Sequence, residues 1–412
     1  MLTRSMFHCV PLRRFGASAF TNKQLRLHLP RHLLSTATFP VVEPPSQLIE
    51  EERVPWYDPK DFYPIRIGEV FQSRYQVVGK LGYGGYSTVW LCRDLVGHCH
   101  VAVKVCSRNA IPIKRELAAL EHLNNLPKTK HAGRQFIRTL LDRFELTSND
   151  VPSRSFQCLV FKPMAESIWA FREGRRLSQW LLKDILYHIL LALDYLHSEA
   201  KLIHADIQEK NILLSLDDTE ALQAYEEGEQ TSPVARKIDG DRIIYLSRPI
   251  EPKQYGPPYL CDFGEARIGR TTYTGLIQPE QYRAPEVILG MPWNEKVDIW
   301  SVGVMIWNMF QGKNMFKVTG GPEDEAHDRY HIAHMVSLLG PPPVDFLKRS
   351  ETGEPWKYFD AQGNWIGAAD LPDDSLEEQS SIPEFRAEDG GMEAGRSLQC
   401  ARAPEGRLAS CA

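Results

Sequence analysis

The most informative segment of the chain is His204-Ala-Asp-Ile-Gln-Glu-Lys-Asn211, which is followed at once by the apolar residues 212–214. It places a carboxylate and a side-chain amide five residues apart, immediately before a predicted strand. Phosphoryl transfer uses such a pair, because it needs a carboxylate that orients the acceptor hydroxyl and oxygen ligands that hold Mg²⁺. Asp206 is the candidate carboxylate, and Asn211 is a candidate metal ligand.

Two shorter segments follow in the chain and strengthen this interpretation. Asp262-Phe-Gly264 comes directly after the apolar residues 259–261, and its carboxylate is a second candidate ligand that would bridge Mg²⁺ to the phosphates of ATP. Tyr282-Arg-Ala-Pro-Glu286 closes the segment that begins at Asp262. Each tripeptide alone occurs by chance, but their order and local context together point to one chemistry.

Upstream, the sequence Leu81-Gly-Tyr-Gly-Gly-Tyr-Ser-Thr-Val89 lies between two predicted strands. Its small residues let a backbone turn approach phosphate groups with its amide N–H groups. Fifteen residues after this hairpin region, Val101-Ala-Val-Lys104 places a lysine in an apolar strand, within reach of the phosphates. Glu116, in the next predicted helix, is the candidate partner of Lys104; a solvated helix face is the alternative for this residue.

The periodicity of apolar residues predicts a β-rich half followed by an α-rich half. Short β-branched segments at 75–81, 87–94, 100–106, 139–145 and 156–161 predict strands, and the spacing of apolar residues predicts helices at 113–126, 181–197 and 297–310. This order of elements predicts an α+β fold of two lobes.

The motifs together resemble the eukaryotic protein kinase superfamily from about residue 75 to residue 339. Within it, three stretches are most similar to the serine/arginine-rich protein kinases and their fungal relatives: LGYGGYSTVWLCRD, DYLHSEAKLIHADIQEKNILLS and IQPEQYRAPEVILG. The resemblance implies a bilobal protein kinase fold, with a β-rich N-lobe and an α-rich C-lobe. It also implies two more C-lobe helices after residue 339, which the sequence does not show.

The same resemblance implies a protein serine/threonine kinase that uses ATP and Mg²⁺. Its catalytic residues would be Asp206, Lys104 and Lys210, and its metal ligands would be Asn211 and Asp262. The residues that would bind the nucleotide are Leu81, Gly82, Gly84, Gly85, Ser87, Val89, Ala102, Lys104, Glu116, Phe161 and Met164.

Two residues of the catalytic loop depart from the family pattern. Ala205 stands where many kinases have an arginine that clamps a phosphorylated activation loop, so we expect activity without phosphate at Thr271, Thr272 or Thr274. Gln208 stands where serine/threonine kinases place a lysine near the γ-phosphate, and Lys210 is the candidate substitute. These departures leave an ATP-binding pseudokinase scaffold as the alternative function.

The domain organisation is predicted from changes in composition. Residues 1–42 have no acidic residue and form a basic arm or a mitochondrial transit peptide. Residues 43–74 form an extended lead-in, 75–164 the N-lobe and hinge, and 165–340 the C-lobe. An acidic insert lies at about 216–254, and its stretch Asp217–Glu229, with six acids and no base, is interpreted as a short solvated spacer, with an acidic docking strip as the alternative. Residues 341–412 form a polar, irregular tail that would leave Glu286 unpaired.

Composition limits the partners. The net charge of −5 argues against a dedicated nucleic-acid binder, and no apolar run is long enough to span a bilayer. The eight cysteines include no CxxC pair, which argues against zinc. We expect a monomer of cytoplasm and nucleus, or of mitochondria if the basic arm is a leader. Its partners would be protein substrates, and the family resemblance implies Arg/Ser-rich proteins. The acidic residues at 323–328 could attract such basic peptides; a solvated loop and helix start is the alternative for them.

Overall fold

The computed structural model describes residues 39–42, 44, 46–108, 111–147, 155–216, 218–316, 318 and 324–373. The strands are β1 Val70–Phe71, β2 Tyr75–Gly84, β3 Ser87–Asp94, β4 Cys99–Cys106, β5 Leu140–Thr147, β6 Ser155–Phe161, β7 Met164–Ser167, β8 Leu202–Ile203, β9 Ile212–Ser215, β10 Arg236–Asp239, β11 Arg242–Tyr245, β12 Pro258–Leu260 and β13 Arg267–Ile268. The helices are α1 Ile111–Asn125, α2 Ile168–Arg172, α3 Gln179–Ser198, α4 Thr219–Thr231, α5 Pro285–Ile288, α6 Lys296–Gln311, α7 Asp324–Leu339 and α8 Val344–Leu347.

The N-lobe is an antiparallel sheet in the order β1-β2-β3-β4-β6-β5, together with α1. Successive side chains of a strand point to opposite faces of a sheet. In β4, Val101, Val103 and Val105 therefore share one face, where they join a buried apolar cluster. Lys104 lies on the opposite face, which borders the cleft between the lobes.

The C-lobe is built around α3 and α6. Ser178 caps the N-terminus of α3, since its Oγ accepts a hydrogen bond from the Leu181 N–H at 3.3 Å. Ile185 and Ile189 of α3 and Met305 of α6 are fully buried in the largest apolar cluster of the described residues. Two small sheets, β12-β9-β7 and β13-β8, lie at the edge of this lobe and carry the segments around the cleft.

The α+β prediction with two lobes is confirmed. The predicted strand 87–94 coincides with β3, and the predicted helix 297–310 lies within α6 with one residue to spare at each end. Residues 1–38 of the predicted basic arm and residues 374–412 of the predicted tail lie outside the described residues.

The insert is not a solvated spacer, and this prediction is wrong. Helix α4 and the hairpin β10-β11 fold onto the N-lobe, where Leu222 and Tyr225 of α4 pack in one buried cluster with residues of β2 and β3. The Tyr225 hydroxyl donates a hydrogen bond to the Lys80 carbonyl at 2.9 Å. A Cβ at Gly79 would lie only 2.7 Å from that hydroxyl, so the close packing needs glycine there. The insert therefore packs against the N-lobe, where it covers part of β2 and β3.

The lead-in also departs from its prediction, because it is only partly extended. It contains two 3₁₀ turns, Glu50–Arg53 and Pro59–Asp61. Glu52 of the first turn forms an ion pair at 2.8 Å with Lys237 of the insert, and both side chains are almost fully buried. The lead-in and the insert therefore form one layer on the N-lobe.

Lys80 lies at the centre of this layer and its side chain is fully buried. Its Nζ is 3.3 Å from Glu50, contacts Glu51 still more closely, and donates to the Tyr245 carbonyl at 3.1 Å. A buried cation needs such partners, because leaving it unpaired away from water costs several kcal/mol.

The boundary predicted at residue 340 also needs correction. Leu347 and Phe359 are fully buried and belong to the main C-lobe cluster, and the Phe359 and Trp365 rings meet edge to face. The C-lobe core therefore extends beyond residue 340 into the segment that was predicted as a polar, irregular tail, although most residues of 341–373 are not buried. Within the described residues after 339, helical structure is limited to α8 and the turn Glu354–Lys357.

Replacing Lys80 by methionine should lower the free energy of unfolding by about 3–5 kcal/mol, because Glu51 would stay buried without its cation. Chemical denaturation would measure this. The double variant Lys80→Met, Glu51→Gln should recover part of the loss. Lys253→Met is the matched control, since its pair with Glu220 is exposed and should change stability little. Equal effects of Lys80→Met and Lys253→Met would contradict the assignment.

Candidate active site

A cleft between the lobes brings most of the predicted site residues together. Its lining includes Gly84, Ser87, Val89, Lys104, Glu116, Phe161, Lys210, Asn211 and Asp262. The remaining predicted residues, Leu81, Gly82, Gly85, Ala102, Met164 and Asp206, are not among the lining residues. Met164 nevertheless begins β7 next to the cleft, and Asp206 is hydrogen-bonded to the lining residue Asn211.

Lys104 and Glu116 form a direct ion pair. Both carboxylate oxygens of Glu116 accept from the Lys104 ammonium, at 2.8 and 2.7 Å. The ammonium is also 3.8 Å from Asp262. Burial alone would lower the pKa of Lys104, but the Asp262 and Glu116 carboxylates raise it above its usual value. Lys104 therefore stays charged, and it links β4, α1 and the start of the segment after β12.

Asp206 is held by two side chains of its own loop. The Asn211 amide donates to the Asp206 carboxylate at 2.7 Å and to its backbone carbonyl at 2.8 Å. The Gln208 amide donates to the other carboxylate oxygen at 2.8 Å. Burial raises the pKa of Asp206 to about 7; the charge of Asp262 acts in the same direction, and the two amides oppose it. A carboxyl group of this kind is suited to accept a proton near neutral pH.

The donor set fits a divalent cation bound together with a nucleotide. Because the Asn211 NH₂ group is engaged by Asp206, the amide oxygen of Asn211 remains as a possible ligand. One carboxylate oxygen of Asp262 accepts from the Gly264 N–H at 3.1 Å, and Lys104 lowers the pKa of Asp262 against the effect of burial. An amide oxygen and an ionised carboxylate are ligands that Mg²⁺ accepts, with phosphates and water completing its coordination.

Sequence reasoning missed Asp298 of α6, which holds the catalytic loop. Its fully buried carboxylate accepts from the backbone N–H of His204 at 2.9 Å and of Ala205 at 2.8 Å, and lies 2.8 Å from the His197 ring. Ala205 adopts φ +64°, an uncommon conformation for a residue other than glycine. The available signal was the single acidic residue in the predicted helix 297–310.

Sequence reasoning also missed Arg138, which lies outside every motif. It lines the cleft beside Glu116 and Asp262, and its guanidinium carbon lies 4.3 Å from the centroid of the Phe161 ring. Its backbone N–H donates to the Leu260 carbonyl at 3.0 Å, which fixes it beside the strand that leads to Asp262. Arg138 adds a second positive charge to the inner end of the cleft.

Gln208 and Lys210 point in different directions from the same short loop. Gln208 faces Asp206, whereas the Lys210 ammonium lies 5.0 Å from the centroid of the Trp169 ring while its side chain lines the cleft. Between them, Glu209 pairs with Arg172 in the protein interior. The Glu209 pair anchors the loop and leaves Lys210 at the cleft.

The segment from residue 262 to residue 286, called the activation segment here, is tied to α6 by neutral contacts. The Gln278 amide donates to the Val297 carbonyl at 2.9 Å and to Ser301 Oγ at 2.8 Å, and its oxygen accepts from the Ala284 N–H. Thr271, Thr272 and Thr274 are exposed in the same segment. The activation segment is therefore held against α6 by contacts that need no phosphorylated residue.

Among the described residues, Glu286 has no ion pair within 4 Å. Burial raises the pKa of Glu286, against the opposing charges of Arg349 and Lys296. Its backbone carbonyl accepts from the Met291 N–H at 2.8 Å.

The predicted acidic cluster at 323–328 is divided by the structure. Glu323 lies outside the described residues. Asp328 forms an ion pair with Arg283 at 3.1 Å, and the neighbouring His327 contacts Glu280 at 2.9 Å. Asp328 therefore stabilises the contact between α7 and the end of the activation segment.

Comparison with known proteins agrees with this geometry. Residues 75–362 match the protein kinase domain family. A serine/threonine protein kinase of Aspergillus fumigatus is 42% identical over 85% of each chain. Serine/threonine-protein kinase SRPK of Physarum polycephalum is 28% identical over 76% of this chain and 78% of its own, and protein kinase dsk1 of Schizosaccharomyces pombe is 26% identical over 70% of each.

Proposed function

The chain belongs to the protein kinase family as a serine/threonine protein kinase, and from this premise we propose that it transfers the γ-phosphate of Mg·ATP to Ser residues of Arg/Ser-rich proteins. The observation that carries the proposal is the arrangement around one cleft of the Lys104–Glu116 pair, the Asp206–Asn211 pair and Asp262. Phosphoryl transfer depends mainly on such positioning and on electrostatic stabilisation.

Each residue of the cleft has a defined part in this proposal. Lys104, fixed by Glu116, contacts the α- and β-phosphates, and Asn211 and Asp262 hold Mg²⁺. Mg²⁺, when bound, neutralises charge that develops on the phosphates. Asp206 orients the substrate hydroxyl and takes up its proton, for which a pKa of about 7 is suitable.

Lys210 supplies the positive charge that Gln208 cannot provide. A neutral amide does not neutralise charge on the γ-phosphate, and the Gln208 amide is already engaged by Asp206. Lys210 lines the same cleft, and its contact with the exposed Trp169 leaves its ammonium at the protein surface. A lysine side chain can leave a single cation–π contact at small cost, since such contacts contribute about 0.5–1 kcal/mol at exposed sites.

The Arg/Ser-rich substrate class rests on similarity. The glycine-rich, catalytic-loop and activation-segment motifs resemble the serine/arginine-rich protein kinases, and the chain aligns with the Physarum SRPK kinase over most of both proteins. The acidic residues Glu323, Asp324 and Glu325 lie close together in the sequence and would attract a basic peptide. Asp328 contributes less to this attraction, because Arg283 neutralises it.

The first prediction from this proposal concerns substrate and catalysis. The purified chain should phosphorylate an Arg-Ser repeat peptide faster than a matched peptide with alanine in place of arginine. Asp206→Asn should reduce transfer by about a thousandfold, because it removes the proton acceptor but keeps the size of the side chain. Radiolabel transfer measures the rate, and calorimetry measures ATP binding separately.

Equal rates on the two peptides would contradict the Arg/Ser-rich substrate class. Binding of Mg·ATP without transfer to any protein substrate would instead favour the pseudokinase scaffold.

Lys210→Ala should lower kcat by about a hundredfold, the effect of removing one preorganised group that stabilises transition-state charge, with little change in the KM for ATP. Lys210→Arg should retain much of the rate because it keeps the charge. Lys183→Ala, an exposed lysine on α3, is the control. An unchanged kcat for Lys210→Ala would refute the substitute role.

The triple variant Thr271→Ala, Thr272→Ala, Thr274→Ala should keep the rate of the unmodified chain, because Gln278 already ties the activation segment to α6 without a phosphate. Gln278→Ala should lose activity, since it removes three buried hydrogen bonds. Protein made in bacteria would provide the unphosphorylated starting material. Loss of activity in the triple variant, or a strict requirement for prior phosphorylation, would contradict this prediction.

A further inference from the structure

The glycine-rich loop comprises residues 81–89, and Gly85 and Tyr86 form its tip. A tryptophan of the lead-in holds this tip. The indole N–H of Trp56 donates to the Gly85 carbonyl at 3.0 Å. The Trp56 ring also stacks on Tyr86, with ring centroids 5.6 Å apart and planes inclined by 24°. Trp56 precedes Gly85 by 29 residues and is itself 58% exposed. One side chain from outside the lobe sheet thus makes a polar and an aromatic contact to two adjacent loop residues.

The residue at position 85 fits this contact closely. A Cβ added to Gly85 would lie 3.0 Å from Cζ2 of Trp56, which is tighter than an ordinary contact. Gly85 does not have a positive φ, so its backbone conformation does not itself require glycine. Packing against Trp56 is thus a specific reason for glycine at position 85 in this structure.

Trp56 is anchored on both sides along the chain. Before it, Glu50 and Glu51 hold the fully buried Lys80, which lies in the strand that leads into the glycine-rich loop. After it, the Asp61 carbonyl accepts from the Arg108 N–H at 2.9 Å, and the two side chains meet at 3.4 Å. The indole is therefore presented to the loop by a segment fixed to the lobe at two points.

Tyr86 is also held through its backbone. Its carbonyl accepts from the Ser107 N–H at 2.7 Å, directly after β4. The loop tip is therefore fixed both by this backbone hydrogen bond and by the contacts of Trp56.

We propose that Trp56 is a positioning residue that orders the tip of the glycine-rich loop in advance, so that the lead-in sets the affinity for the nucleotide. This inference rests on the proposed use of Mg·ATP. A glycine-rich loop has much backbone freedom to lose, and a ligand that must order it spends part of its binding free energy on that step. Here the contacts of Trp56 order the loop beforehand.

Trp56→Ala should raise the KM and the Kd for Mg·ATP by about three- to tenfold, the range expected when the ordering of one or two side chains moves into the binding step, with a smaller change in kcat. In the protein without nucleotide, backbone amides of residues 82–87 should exchange hydrogen faster. Trp56→Phe keeps the ring and loses the hydrogen bond, so it should be intermediate. Trp180→Ala, another exposed tryptophan, is the matched control.

A double-mutant cycle with Gly85→Ala tests the contact itself. Gly85→Ala alone should push the Trp56 ring away and reproduce much of the Trp56→Ala effect. In the Trp56→Ala background, the same change should add little to the hydrogen-exchange rates of residues 82–87 in the protein without nucleotide, because the clash partner is gone. Additive effects of the two changes would overturn the proposal. So would unchanged KM, Kd and exchange rates in Trp56→Ala.

The hydrogen-exchange and nucleotide-binding measurements do not require transfer to any peptide. If the chain binds Mg·ATP but phosphorylates no substrate, the proposed function fails, while the exchange of residues 82–87 still decides the role of Trp56. If transfer occurs and the Trp56 variants behave like Trp180→Ala, only the role of Trp56 is refuted.

Discussion

The geometry of the catalytic loop depends on one buried carboxylate, Asp298. A fully buried carboxylate is stable only when its oxygens accept hydrogen bonds, and Asp298 accepts two from consecutive backbone amides, with the His197 ring as a third partner. These bonds hold Ala205 at a positive φ, which turns the chain so that Asp206 meets Asn211 and Gln208. A core helix of the C-lobe thereby fixes the position of the candidate catalytic group.

In the N-lobe, the lead-in and the insert together hold the strands next to the cleft in place. Their paired residues Glu52 and Lys237 are 185 positions apart in sequence, yet the two segments form one layer on β2 and β3 through buried ion pairs and an apolar cluster. Lys80 joins the two segments, since Glu50 and Glu51 come from one and the Tyr245 carbonyl from the other. Because Lys80 lies in β2, which continues into the glycine-rich loop, this layer supports the N-lobe side of the cleft.

The two aspartates of the cleft, Asp206 and Asp262, have different pKa shifts because Lys104 lies beside only one of them. Burial and the charge of Asp262 raise the pKa of Asp206, whereas Lys104 lies beside Asp262 and lowers the pKa of Asp262. Arg138 adds positive charge at the inner end of the cleft. The two carboxylates therefore differ in protonation: one is suited to bind a cation and the other to accept a proton.

The sequence by itself determined the α+β class, the two lobes, the main strands and helices, and the members of the Lys104, Asp206, Asn211 and Asp262 set, because these follow from local periodicity and from motifs with few alternative uses. Arg138 and Trp56 could not be predicted, since each acts on residues far away in the chain and belongs to no motif. For Asp298, the sequence offered only a single acid in a predicted helix. The insert shows the same limit. Its acids predicted a solvated spacer, but burial of Leu222 and Tyr225 depends on a surface that only the folded N-lobe provides. Local pattern determines which elements form, whereas their long-range partners are set by packing and by the need to satisfy buried polar groups.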